Sequence, residues 1–170
     1  SPLDSRKDFE LPMAHSQLAR VRKWTLGTST QGRPLDVIAF SPDGTLCPES
    51  PQTSNEWRWF LLIAGVHGDE PEGIWAVEKI VEGLLESHAY ENLGVIVWTE
   101  ANPDGVASFS RVNGRGVDLN RNLPTKDWSP EAKNERYIPG PHAGSEPESQ
   151  ALIELIEKTK PCAILSAHSF

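Results

Sequence analysis

Two cysteines, Cys47 and Cys162, are too few for a disulfide framework and lack the spacing of a cysteine-based zinc site. Cys162 falls in an apolar stretch and reads as a small core residue; Cys47 falls in a polar loop. Two free thiols suit a reducing compartment, so the expected location is cytoplasmic. No apolar run approaches the roughly 20 residues that span a bilayer, and no membrane partner is expected. The chain opens on Ser1 with no visible secretory signal. Basic charge is also scarce: 16 Lys and Arg face 24 Asp and Glu, a net charge of −8. That balance argues against sequence-independent binding of nucleic acid, which needs a basic footprint. It leaves room for a local arginine cluster that holds a carboxylate. There is no internal repeat and no low-complexity tract.

What is present suits one domain over residues 1–170, with a real core and, from 14 Pro and 13 Gly, substantial loops. Residues 1–20 are polar and receive no assigned structure. Residues 24–26 and 35–40 read as two strands of a hairpin closed over Gly27, Gly32 and Pro34. Residues 41–55 form a loop with a turn at Pro42-Asp43-Gly44. Residues 59–66 are continuously apolar and predict a strand buried on both faces. Pro71 suits the first position of a helix whose stripe is Ile74, Val77, Val81, Leu84 and His88, widened by Ile80 and Leu85. Residues 94–99 form the next buried strand, which makes a right-handed βαβ unit with parallel strands. Residues 100–144 have little periodicity, and a stretch that long in a compact domain is usually functional or disordered. Ser145 and Glu148 make a capping box for a helix that Pro161 ends. Residues 162–167 read as a third buried strand. The expected fold class is α/β: a mixed, largely parallel sheet flanked by helices.

The chemistry sits at strand ends. His67 stops the apolar run abruptly, and Glu70 follows three residues later. Imidazole and carboxylate are ordinary zinc ligands, and open α/β sheets build sites at carboxyl strand ends. The plainer alternative is a loop histidine and a glutamate that favours the helix start. His168 ends another apolar strand, and two parallel strands both ending in histidine make coincidence less credible. His15, His88 and His142 have no such placement. Arg111, Arg115 and Arg121 lie in the Gly- and Asn-rich stretch 111–122, which is either a solvated basic loop or a carboxylate pocket. Asp118 could orient a metal-bound histidine.

Taken in order, His67-Gly68-Asp69-Glu70, Asn102-Pro103-Asp104-Gly105, Arg111, Gly116-Val117-Asp118-Leu119-Asn120-Arg121-Asn122 and His168-Ser169-Phe170 resemble the zinc carboxypeptidase family. The likeness spans about residues 59–170 and is strongest to the murein peptide amidase branch, on residues 144–152. It implies one zinc ion held by His67, Glu70 and His168, with Asp118 on the second nitrogen of His67. It implies that Arg111 polarises the scissile carbonyl, and that Asn120 and Arg121 hold the terminal carboxylate of a small acidic peptide. The implied bond is the γ-D-glutamyl–meso-diaminopimelate amide of murein peptides.

Two departures carry expectations. Digestive members have arginine where this chain has Asp69, an acidic residue suited to the ammonium of diaminopimelate. Family members also place a catalytic glutamate, a capping tyrosine and further strands after the third ligand. The expectation is therefore a truncated chain, inactive alone, with an exposed sheet edge that invites self-association. The rival readings are an aspartoacylase or succinylglutamate desuccinylase-like amidohydrolase, and a non-catalytic zinc or peptide-binding fragment.

Overall fold

A computed structural model describes residues 20–42, 57–87 and 92–169. His15, Cys47, His88, Phe170 and the Asp43-Gly44 part of the expected turn lie outside the described residues. Strands β1 (Val21–Thr28) and β2 (Pro34–Phe40) form the expected antiparallel hairpin. Gly32, at φ +78°, supplies the left-handed residue its turn requires. The rest of the order is β3 (Arg58–Ile63), α1 (Pro71–Glu86), β4 (Leu93–Trp98), a short α2 (Pro103–Ser108), a 3-10 turn (Leu119–Arg121), α3 (Pro147–Thr159) and β5 (Ala163–Ser166). Among the described residues no helix is long and apolar enough to cross a membrane.

The described strands make a mixed sheet in the order β1-β2-β4-β3-β5. β2 pairs antiparallel with β4, while β3 pairs parallel with both β4 and β5. The apolar run of β3 does not alternate because both its faces are covered. Leu61 and Ile63 join a cluster with Trp59, Trp98, Ala151 and Leu155, against α3. Leu62 points the other way, into a cluster with Ile74 and Val77 of α1.

Four sequence expectations are corrected. Cys162 is exposed, not core, and β5 is exposed along its length, with Ile164 and Leu165 at 46% and 51%. The reason is its place at the edge of the sheet, where β3 is its one strand partner among the described residues. Ile80 is exposed and does not widen the buried stripe of α1. No capping box forms at α3: the helix starts at Pro147, Glu146 takes the N-cap position, and no side chain caps it. Ser145 Oγ instead donates to Glu146 Oε1 at 2.8 Å. Glu148 is buried, where burial pushes its carboxyl up, and accepts from Asn113 Nδ2 at 3.2 Å.

The hairpin turn is fastened to α2 by one buried carboxylate. Asp104 accepts from Ser29 Oγ (2.7 Å), Thr30 Oγ1 (3.0 Å), the Gln31 N–H (3.2 Å) and Arg33 Nη1 (2.8 Å). Burial alone would raise its pKa, but these donors together hold it below the ordinary value. Asp104→Ala, which strands the Ser29 and Thr30 hydroxyls and the Gln31 N–H while the 41% exposed Arg33 can turn to water, is expected to cost about 1–3 kcal/mol in urea unfolding at neutral pH. A carboxyl depressed in the folded state stabilises above its unfolded pKa, and that contribution fades as pH falls through the folded value. The melting-temperature gap between wild type and Asp104→Asn should therefore narrow as pH falls from neutral through the acidic carboxylate range. A gap constant over that range would count against an ionic role.

Candidate metal centre

β3 and β5 run side by side, with Ile63 level with Ser166. The residues that follow, His67 and His168, consequently emerge at the same end of the sheet. The backbone before His67 is tied down tightly. Ala101 and Asn102 donate their N–H groups to Ala64 and Gly65 at 3.0 and 2.9 Å. Asn102 is fully buried; its Oδ1 caps α2 through the Gly105 N–H (2.9 Å), and its Nδ2 donates to the Val66 carbonyl (3.2 Å). The Asn102-Pro103-Asp104-Gly105 stretch thus clamps the backbone that delivers His67.

His67 is 2% exposed and has a carboxylate at each ring nitrogen. Its Nε2–H donates to Asp118 Oδ1 at 3.0 Å, and its Nδ1 lies 2.9 Å from Glu70 Oε1. Asp118 is fully buried; burial would raise its pKa, but His67 and then Arg111 hold it below the ordinary range. An ionised Asp118 can only accept, so it fixes the proton on Nε2 and leaves the Nδ1 lone pair facing Glu70. The other Glu70 oxygen lies 2.8 Å from His168 Nδ1 and accepts from the Ser169 N–H at 3.2 Å. Burial works against the Glu70 charge, but His168, His67 and Ser169 outweigh it and lower its pKa. Glu70 occupies the N-cap position of α1 without capping it, because its carboxylate is turned to the histidines.

Ligand atoms of His67, Glu70 and His168 lie within 4.8 Å of one another. Two imidazole Nδ1 atoms and a carboxylate, converging from one buried and two more open side chains, are a donor set that fits a zinc ion. The three residues expected as ligands are therefore brought together, with Asp118 against the Nε2 of His67.

Arg111 shares that buried carboxylate. Its Nε and Nη2 lie 3.1 and 3.0 Å from Asp118 Oδ2, and Nη1 lies 3.6 Å from Glu70 Oε1. Asn120 and Arg121 are exposed on the 3-10 turn that Asp118 starts, and Arg121 Nη1 donates to the Asn120 carbonyl at 2.9 Å. Arg115 turns away, with Nη1 3.9 Å from Glu146 Oε2. Asp69 keeps one buried oxygen with no hydrogen-bond partner among the described residues.

Two contributors escaped the sequence reading. Asn122, fully buried, donates to the Pro139 and His142 carbonyls at 2.8 and 3.1 Å and gathers the loop beyond it. Tyr137 lies in that loop with two arginines over its ring. Neither has a local signal, since these partners are 16 or more residues away. The signal for α2 was present: asparagine followed by proline is a helix start.

The chain is 34% identical to murein peptide amidase A of Escherichia coli (strain K12) over 119 residues, covering 64% of this chain and 48% of that protein. It is 28% identical to carboxypeptidase A1 of Sus scrofa, covering 92% of this chain and 41% of that protein. Its fold matches the murein-tripeptide amidase of Escherichia coli O157 with a TM-score of 0.63 and 29% identity, over 86% of this chain and 60% of that one. It matches the carboxypeptidase A of Helicoverpa armigera with a TM-score of 0.70 and 25% identity, over 91% and 42%. The chain thus spans about half the length, or less, of the curated relatives it matches. With residues 10–170 matched by the model of the zinc carboxypeptidases, the chain belongs to that family.

Proposed function

We propose that this chain carries the metal-binding and carboxylate-holding part of one catalytic domain, a zinc-dependent amide hydrolase acting next to a residue with a free carboxylate. The favoured bond is the γ-D-glutamyl–meso-diaminopimelate amide of murein peptides. The observation that carries the reading is the shared Asp118 carboxylate, which holds His67 with one oxygen and Arg111 with the other.

In this reading His67, Glu70 and His168 hold zinc. When bound, the ion supplies Lewis acidity and a water acidic enough to attack near neutral pH. Arg111 keeps Nη1 directed to the centre while Asp118 grips its other nitrogens, so a donor is aimed where oxyanion charge develops. Asn120 and Arg121, exposed on their turn, hold the terminal carboxylate and convert binding into positioning.

The test is hydrolysis by the full gene product, followed by mass spectrometry, of murein tripeptide set against N-acyl amino acids. Cleavage of the tripeptide at the diaminopimelate amide is expected. Preference for N-acyl amino acids would favour the aspartoacylase-like reading, and binding of zinc and peptide without turnover the non-catalytic one. One zinc per chain is expected by elemental analysis, with loss in His168→Ala; undiminished zinc there would overturn the ligand assignment.

A further inference from the structure

Two cations of the site converge on one aromatic ring. The Arg111 guanidinium carbon lies over the Tyr137 ring, 5.1 Å from its centroid, and that of Arg121 lies over the same ring at 5.2 Å. The segment carrying the ring is fastened to the segment carrying Arg121. The Asp118 N–H donates to the Ile138 carbonyl at 2.9 Å, and Asn122 Nδ2 donates to the Pro139 carbonyl at 2.8 Å. Tyr137 itself donates its N–H to the Asn134 carbonyl at 3.1 Å.

We infer that Tyr137 is a positioning residue that sets the separation of the Arg111 and Arg121 guanidiniums, so that one substrate presents its carbonyl to the first and its carboxylate to the second. The inference rests on the proposed function. The choice of partner explains why an aromatic ring stands here. A carboxylate between the arginines would hold them but would neutralise their charge and occupy their donors. A ring face attracts each guanidinium through its quadrupole and takes up no N–H group. Arg111 already commits two nitrogens to Asp118, and Arg121 commits one to the Asn120 carbonyl. The ring fixes both planes and leaves the remaining donors for substrate. The phenol oxygen plays no part in this role, so phenylalanine should serve as well as tyrosine.

The experiment compares kcat/KM for a peptide with a free terminal carboxylate and for the same peptide amidated, in the full gene product. Wild type should prefer the free acid. Tyr137→Phe should keep that preference within about twofold, and Tyr137→Leu should reduce it by about tenfold, the scale of losing two such contacts. General damage to the fold would lower both rates together and leave their ratio intact. If Arg121→Ala reduces the preference but Tyr137→Leu does not, the inference falls and the proposed function stands. If wild type shows no preference for the free acid, or if Arg121→Ala leaves it unchanged, the carboxylate-holding role falls and the inference falls with it.

Discussion

Asp118→Ala is expected to lower kcat/KM by about a thousandfold, more than loss of a single outer hydrogen bond to a metal ligand, which typically costs about 10–100-fold. On the proposed roles, the excess comes from Arg111. An oxyanion donor is worth about 10²–10³-fold, and the same deletion frees it from the carboxylate that aims it. The two losses act through one centre, so they should combine to less than their product. Asp118→Asn separates them. Its amide oxygen can still accept from His67 Nε2–H, but its NH2 would then face the donors of Arg111. That variant should keep most of its zinc while losing rate, whereas the alanine variant should lose part of both. Elemental analysis and steady-state kinetics on the full gene product decide the matter. A kcat/KM for Asp118→Ala within tenfold of wild type would sink the shared-carboxylate account.

Gly68→Ala is expected to cost more than about 3 kcal/mol, above the usual range for an overpacked site, and to lower the melting temperature by roughly 10 °C. A Cβ on Gly68 would lie 1.9 Å from the Gly105 carbonyl carbon and 2.3 Å from the Val106 nitrogen. Both are backbone atoms of α2, so no rotamer can move aside. The Gly68 N–H also donates to the Ser110 carbonyl at 2.8 Å, which holds the turn against that surface. Relief would require the His67–Glu70 turn to lift away from α2, carrying two of the proposed ligands out of register with His168. Zinc content should therefore fall along with stability. Unchanged melting and full zinc loading would show that the turn and α2 are less tightly opposed than the geometry requires.

Much of the centre was legible because its first two side chains sit where an apolar run ends. The sequence 59–66 can be buried on both faces only in an interior strand; β3 itself ends at Ile63, and the apolar run carries on to the break at His67. His168 could be read in the same way. The burial of its strand could not, because Cys162, Ile164 and Leu165 have the composition of an interior strand but lie at an edge. Exposure there depends on what stands beside the strand, which its own residues do not encode. The capping box failed for a related reason. Ser145 has the right spacing to Glu148, but Asn122 donates to its hydroxyl at 2.9 Å and Asn113 draws Glu148 inward. Long-range polar partners outcompeted a local motif. Tyr137 had no motif to find, since its role arises only where separate segments meet.

The edge position of β5 bears on how the centre comes together in time. His67 and Glu70 are three residues apart and can approach as soon as their turn forms, whereas Glu70 and His168 are separated by 98 positions. Among the described residues β5 pairs with β3, so the proposed third ligand arrives through a long loop closure. The two-residue half of the centre belongs to the early, local part of folding, and its completion is a late, non-local event. On the proposed ligand set, metal affinity would accordingly report whether β5 has docked against β3.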